Sequence, residues 1–107
     1  QTDEQITAVS VPKVKGVRLR QTRKGKITVT WTRFSGGNGY QIACSTSRAF
    51  SKGKTKIKSA GAYDDVKTIT GLKKGKTYYV RVRAYQKADG RKYYGNWSKV
   101  KKVKIKK

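Results

Sequence analysis

The fold predicted for this chain is an all-β sandwich of seven short strands, and three observations carry the prediction. Segments rich in Val, Ile, Thr and Tyr recur along the chain, separated by Gly, Asn, Asp and Lys. No segment sustains a helical period over three turns. Two segments alternate strictly between apolar and polar residues, the mark of a strand with one buried and one wetted face. Short strands at regular spacing with turn signals between them make a sandwich, although periodicity alone also permits a small barrel.

The elements follow in order. Residues 1–11 read as a linker or tail, and residues 12–107 as one domain. Val14 to Arg20 is a first strand, bent at Gly16, and Lys24-Gly25 is a turn. From Lys26 to Arg33, Ile27, Val29 and Trp31 share one face and Thr28, Thr30 and Thr32 the other. Ser35 to Gly39 is a loop. In Tyr40 to Ser45, the residues Tyr40, Ile42 and Cys44 point one way. Phe50 to Ser59 is basic and holds an edge strand around Thr55 to Lys58, where lysine discourages strand-to-strand aggregation. Val66 to Thr70 is a strand of open register, because Val66 and Ile69 differ in parity. Leu72 to Lys76 is a tight connection. Thr77 to Gln86 gives the strongest strand signal: Tyr78, Val80, Val82 and Ala84 alternate with Tyr79, Arg81, Arg83 and Tyr85. Asp89-Gly90 is a hairpin turn. Trp97 to Lys106 is the last strand, and the parity break between Val100 and Val103 predicts a bulge.

Composition narrows the function. There are 28 Lys and Arg against five acids, a net charge of +23. Such a domain is drawn to polyanions, among them nucleic acid, anionic wall polymers, acidic polysaccharide and membrane surfaces. Histidine is absent and Cys44 is the one cysteine. An internal disulfide, a zinc cluster and Cys–His or Ser–His catalysis are therefore excluded. Asp64 and Asp65 are adjacent, so on a strand they would point to opposite faces, and a carboxylate pair requires the fold to bring Asp89 near Asp64. The Gly36-Gly37-Asn38-Gly39 stretch lacks the Lys-Ser/Thr of a phosphate loop. No enzyme activity, metal or cofactor is expected. Gln1 to Ser10 is polar and acidic, unlike a signal peptide, and no run approaches the ~20 apolar residues of a membrane span.

Three sequence features together resemble the fibronectin type III family, an immunoglobulin-like sandwich. Pro12 leads into the first strand, and Trp31 closes the run Ile27-Thr28-Val29-Thr30-Trp31. The stretch from Leu72 through Gly75, Tyr78, Val80 and Val82 to Ala84 looks like the family's leucine, glycine turn, tyrosine and alternating valines. Lys74 stands where the family often has proline. The resemblance implies that Trp31 is the core tryptophan, that Leu72 is the core leucine, and that Tyr78 is the corner tyrosine whose hydroxyl bonds to main chain near Leu72. All three are structural roles.

A narrower likeness rests on Gly39-Tyr40-Gln41-Ile42, on Tyr78 to Tyr85, and on Tyr94-Gly95-Asn96-Trp97-Ser98. These resemble lysine-rich fibronectin type III modules of secreted and wall-attached Gram-positive proteins. That likeness implies an extracellular module, monomeric, with neighbouring domains of a parent protein as its partners. Its second partner class is anionic wall polymers or polysaccharides; nucleic acid enters through charge alone.

The resemblance also places the candidate site. One sheet would present Tyr79, Arg81, Arg83 and Tyr85 outward, with Gln41 and Ala43 beside them. Lys104 and its lysine neighbours, and Lys54, Lys56 and Lys58, would flank that face. Guanidiniums suit phosphate or carboxylate, and aromatic rings stack on sugars or bases. Tyr93, Tyr94 and Trp97 join the candidates from the last hairpin. The same residues admit an internal use, in which Arg81 and Arg83 stack on Tyr94 and Trp97. Trp97-Ser98 partly resembles the Trp-Ser repeat of cytokine receptors, where Arg and Trp interleave; Tyr94-Gly95 replaces the first Trp-Ser.

Overall fold

A computed structural model describes residues 11–33 and 37–106, apart from the side chains of Thr22 and Arg23. The predicted tail (save Val11), part of the 35–39 loop and Lys107 thus lie outside the described residues. The strands are β1 (Lys15–Arg23), β2 (Lys26–Thr32), β3 (Gly39–Ser45), β4 (Thr55–Gly61), β5 (Val66–Ile69), β6 (Thr77–Ala88), β7 (Arg91–Tyr94) and β8 (Lys101–Lys104). They form two antiparallel sheets: β1-β2-β5, and β4-β3-β6 with both β7 and β8 on the far side of β6. Two separate sheets exclude the barrel.

The core lies between the inward faces. Ile27, Val29 and Trp31 of β2 face Tyr40, Ile42 and Cys44 of β3 and Val80, Val82 and Ala84 of β6, and all are buried. The Trp31 and Tyr40 rings meet at 5.3 Å between centroids. Leu72 is buried, and the Tyr78 hydroxyl accepts a bond from the Lys73 backbone N–H at 2.8 Å. Val11 packs against the same core. Pairing with Ile27 turns Ile69 inward, while Val66 is exposed opposite Thr30.

Gly16 does more than bend β1. Lys15 pairs with Thr32 and Arg18 with Thr30, so a bulge of one extra residue sits between them. Gly16 takes φ +71°, and a Cβ there would run into the Thr32 hydroxyl. The Asp89-Gly90 turn has positive φ at both residues, as a two-residue hairpin turn of the twisted type requires.

Three expectations need correction. First, the described residues form eight strands, because β7 lies in the hairpin ahead of the predicted last strand, which itself narrows to β8. β7 pairs with the distal half of β6 and β8 with its proximal half. Between them the ladder is replaced by single bonds: Gly95 N–H to Ala84 O at 2.9 Å, Ser98 N–H to Val82 O at 2.8 Å, and Val82 N–H to the Ser98 hydroxyl at 2.9 Å. Val100 is exposed outside the strand, and the β6–β8 register runs without a bulge. Second, Gly39 belongs to β3. A Cβ there would meet the Tyr85 hydroxyl and the Ala60 carbonyl, so the chain needs glycine for close approach. Third, Lys56 and Lys58 pair with Cys44 and Ile42 and so lie on the inner side of the edge strand, off the outward face. Inward-facing edge lysines are a recognised guard against edge-to-edge pairing.

Candidate functional site

The outward face of the larger sheet is built on β6. Period-two geometry sends Thr77, Tyr79, Arg81, Arg83 and Tyr85 to one side. Register then decides their neighbours. Lys104 stands opposite Thr77, Lys102 opposite Tyr79, and Tyr94 opposite Tyr85. Tyr93 pairs with Gln86 and falls on the other face, so it does not join the row.

The row interleaves cations and rings. The Arg81 guanidinium lies 4.1 Å from the Phe50 ring centroid and 4.4 Å from that of Trp97. The Arg83 guanidinium lies 4.4 Å from Trp97 and 3.8 Å from Tyr94. Tyr94 meets Tyr85 at 6.0 Å, and the Lys92 ammonium lies 4.8 Å over Tyr85. At the other end Arg48 stands 5.9 Å from Tyr79. The unladdered segment between β7 and β8 is what lays Trp97 across β6 between the two arginines.

This row covers part of its own sheet. Ala43 and Ser45, on the outward side of β3, are 1% and 0% exposed. The internal use of these residues is therefore the one the geometry supplies. Phe50 is held in the left-handed region at φ 55°, an uncommon conformation for a bulky residue, with its ring over Arg81.

The two guanidiniums are not equivalent. Arg83 donates from Nε and Nη2 to Gln41 Oε1 at 3.0 and 2.8 Å. The Arg81 guanidinium makes no hydrogen bond among the described residues, and its Nε is buried without a partner. Desolvation lowers the pKa of both; the neighbouring Arg83 charge adds to this at Arg81, while Tyr94 opposes it at Arg83. Both stay charged at neutral pH. Arg81 is thus a clamped cation with unsatisfied donors.

Sequence reasoning missed Phe50, Gln41 as an arginine acceptor, Arg48, and Ser98 as a bridge. Their signal was weak: Phe50 lies 31 residues from Arg81, and nothing local marks it as a ring for that cation. Acidic residues are absent from the eight described strands. Asp64 instead accepts the Gly61 N–H at 2.8 Å within a turn. Among the described residues no group of three potential metal ligands occurs, and no helix is long and apolar enough to cross a membrane.

The family model for the fibronectin type III domain matches residues 10–101. The chain belongs to the fibronectin type III family. Solved structures of similar fold include the third fibronectin III domain of human KIAA0343 protein, at TM-score 0.78 and 16% identity, covering 99% of this chain and 90% of that one. The chicken CNTN1 FN1–FN3 structure aligns at TM-score 0.77 and 18% identity over 91% of this chain, which spans 31% of the CNTN1 chain. An FN3 domain of human collagen XX gives TM-score 0.69 and 19% identity, covering 94% and 98%. Identities this low establish a shared fold. No curated protein matches the sequence.

Proposed function

We propose that this fibronectin type III domain is a non-catalytic module of a larger extracellular bacterial protein, of the lysine-rich kind found in secreted and wall-attached Gram-positive proteins. Residues 1–11 serve as its linker and residues 12–107 as the module. It acts as a monomeric spacer between neighbouring domains and docks weakly on anionic surface polymers. The observation that supports docking is Arg81, whose guanidinium is fixed between Phe50 and Trp97 with its Nε buried and unpartnered, which leaves anion contact to the outer Nη groups. A preorganised guanidinium loses little freedom on meeting phosphate or carboxylate. Further along the same face, Arg48 and Lys102 stand beside Tyr79 and Lys104 opposite Thr77, with no acid on the described strands beneath.

Sugar stacking and base stacking fare worse, because Trp97, Tyr94 and Tyr85 already carry cations against their rings. The test is binding of poly(glycerol phosphate) across a salt series. Affinity should fall steeply with salt, and Arg81→Lys should weaken it severalfold while Arg83→Lys acts mainly on stability. Salt-independent binding to neutral glycans would replace this reading with a carbohydrate-binding one. Sequence-dependent retention on DNA at high salt would replace it with nucleic-acid recognition.

A further inference from the structure

A second basic feature lies away from the ladder, at the open side of the sandwich. β1 and β8 come together there without forming a ladder, since among the described residues β1 pairs only with β2 and β8 only with β6. Between the start of β1 and residues 98–101 is a cleft of about 560 Å³. That volume falls within the ~300–1,000 Å³ of small-molecule sites.

The lining is of two kinds. Val14 and Val17, both buried core residues, form its floor. Lys13, Lys15, Arg18, Lys99 and Lys101 line it, and among the described residues no acid does. Long basic side chains contribute apolar stems below charged heads. Two features of the backbone set this lining. The bulge at Gly16 keeps Lys15 and Arg18 on one side of β1 despite their three-residue spacing, the outer side they share with Thr32 and Thr30, so they form the outer rim of the cleft. The register of β8 puts Lys101 opposite Val80, on the inner side of the sheet, at the cleft. Lys102 and Lys104 point to the ladder face instead, so the two basic surfaces are separate.

Five cations around one cleft repel one another, and no carboxylate of the lining offsets them. An anion seated among them removes that repulsion, and an apolar body attached to it covers the floor. We infer that this cleft is a binding site for a soluble amphipathic anion, a single phosphate, sulfonate or carboxylate on a short alkyl or aryl body. The inference is independent of polymer docking on the ladder face.

Titration of the full chain with octyl phosphate below its micelle concentration, followed by amide NMR, tests it. The expected result is saturable one-to-one binding with shifts at residues 13–18 and 98–101. Burying a few methylenes should make octyl phosphate at least roughly tenfold tighter than inorganic phosphate. Lys99→Glu/Lys101→Glu should weaken binding roughly tenfold or more through lost charge-assisted contacts, while Lys52→Glu/Lys74→Glu, an equal change of net charge at exposed loop positions, should not. An unchanged amide pattern outside the cleft checks that each variant folds. Equal affinity for inorganic phosphate, equal shifts with neutral octanol, or shifts confined to other surfaces would overturn the site. So would a response only to phosphatidylglycerol vesicles. Binding seen only in Asp3→Asn/Glu4→Gln would assign the cleft to the chain's own acidic segment and would also overturn it.

Discussion

Replacing Trp97 with alanine should destabilise the domain by about 3 kcal/mol, and the figure can be assembled from the contacts. Two guanidinium–ring contacts at 4.4 Å are lost, each contributing roughly 0.5–1 kcal/mol at a solvent-accessible site. Trp97 is half-buried, so on the order of 100 Å² of apolar area returns to water, about 2 kcal/mol. The midpoint of thermal unfolding should fall by roughly 12–24 °C, taking 4–8 °C per kcal/mol for a domain of this size. Urea is the denaturant of choice, because guanidinium ions compete for the same rings. A cycle with Arg83→Met isolates the contact itself, and a coupling of about 0.5–1 kcal/mol is expected. Strict additivity, or a Trp97→Ala cost within ~0.5 kcal/mol, the range of an ordinary surface change, would refute the ladder as a stabilising element.

Three further predictions follow from the fold. Tyr78→Phe leaves the Lys73 N–H without its acceptor and should cost about 1–2 kcal/mol in urea unfolding. Gly16→Ala should cost about 2 kcal/mol from the left-handed backbone, with more from the Thr32 hydroxyl; adding Thr32→Ala should recover only the second part. Burial pushes the Cys44 thiol up to about 11, with Lys56 opposing it weakly. The folded state therefore holds the thiol proton more tightly than the unfolded chain does. That contribution is intact below the unfolded pKa, about 8.5, and is lost as pH rises through about 11. Relative to Cys44→Ala, which shares every lysine and tyrosine titration, the native protein should lose stability across that window. Its thiol should resist aromatic disulfide reagents near pH 8 until the chain unfolds.

What was legible in the sequence was local. The alternation of β2 and β6 exposed Ile27, Val29, Trp31, Val80 and Val82 as core, because a period of two leaves one reading of which face is buried. Turn chemistry exposed Gly16, Lys24-Gly25 and Asp89-Gly90. The separate strand β7, and the break between it and β8, were not legible. They depend on Gly95 passing beside the Val11 and Pro12 carbonyls and on Ser98 standing in for a ladder bond, both contacts between distant residues. Ala43 reads as a wetted position from its parity. It is buried because Arg81, its cross-strand partner, lies beneath Phe50 and Trp97. Charge showed that a polyanion is attracted, but only side-chain geometry separates a satisfied Arg83 from an unsatisfied Arg81.

That difference decides which arginine meets the polymer, and the arginine side-chain N–H resonances report it directly. During titration with poly(glycerol phosphate) at low salt, the Arg81 signals should shift progressively and return when salt is raised. The Arg83 Nε–H, held by Gln41, should stay in place. Equal shifts at both arginines, or polymer binding with Arg81 silent, would contradict the assignment of Arg81 as the anion contact.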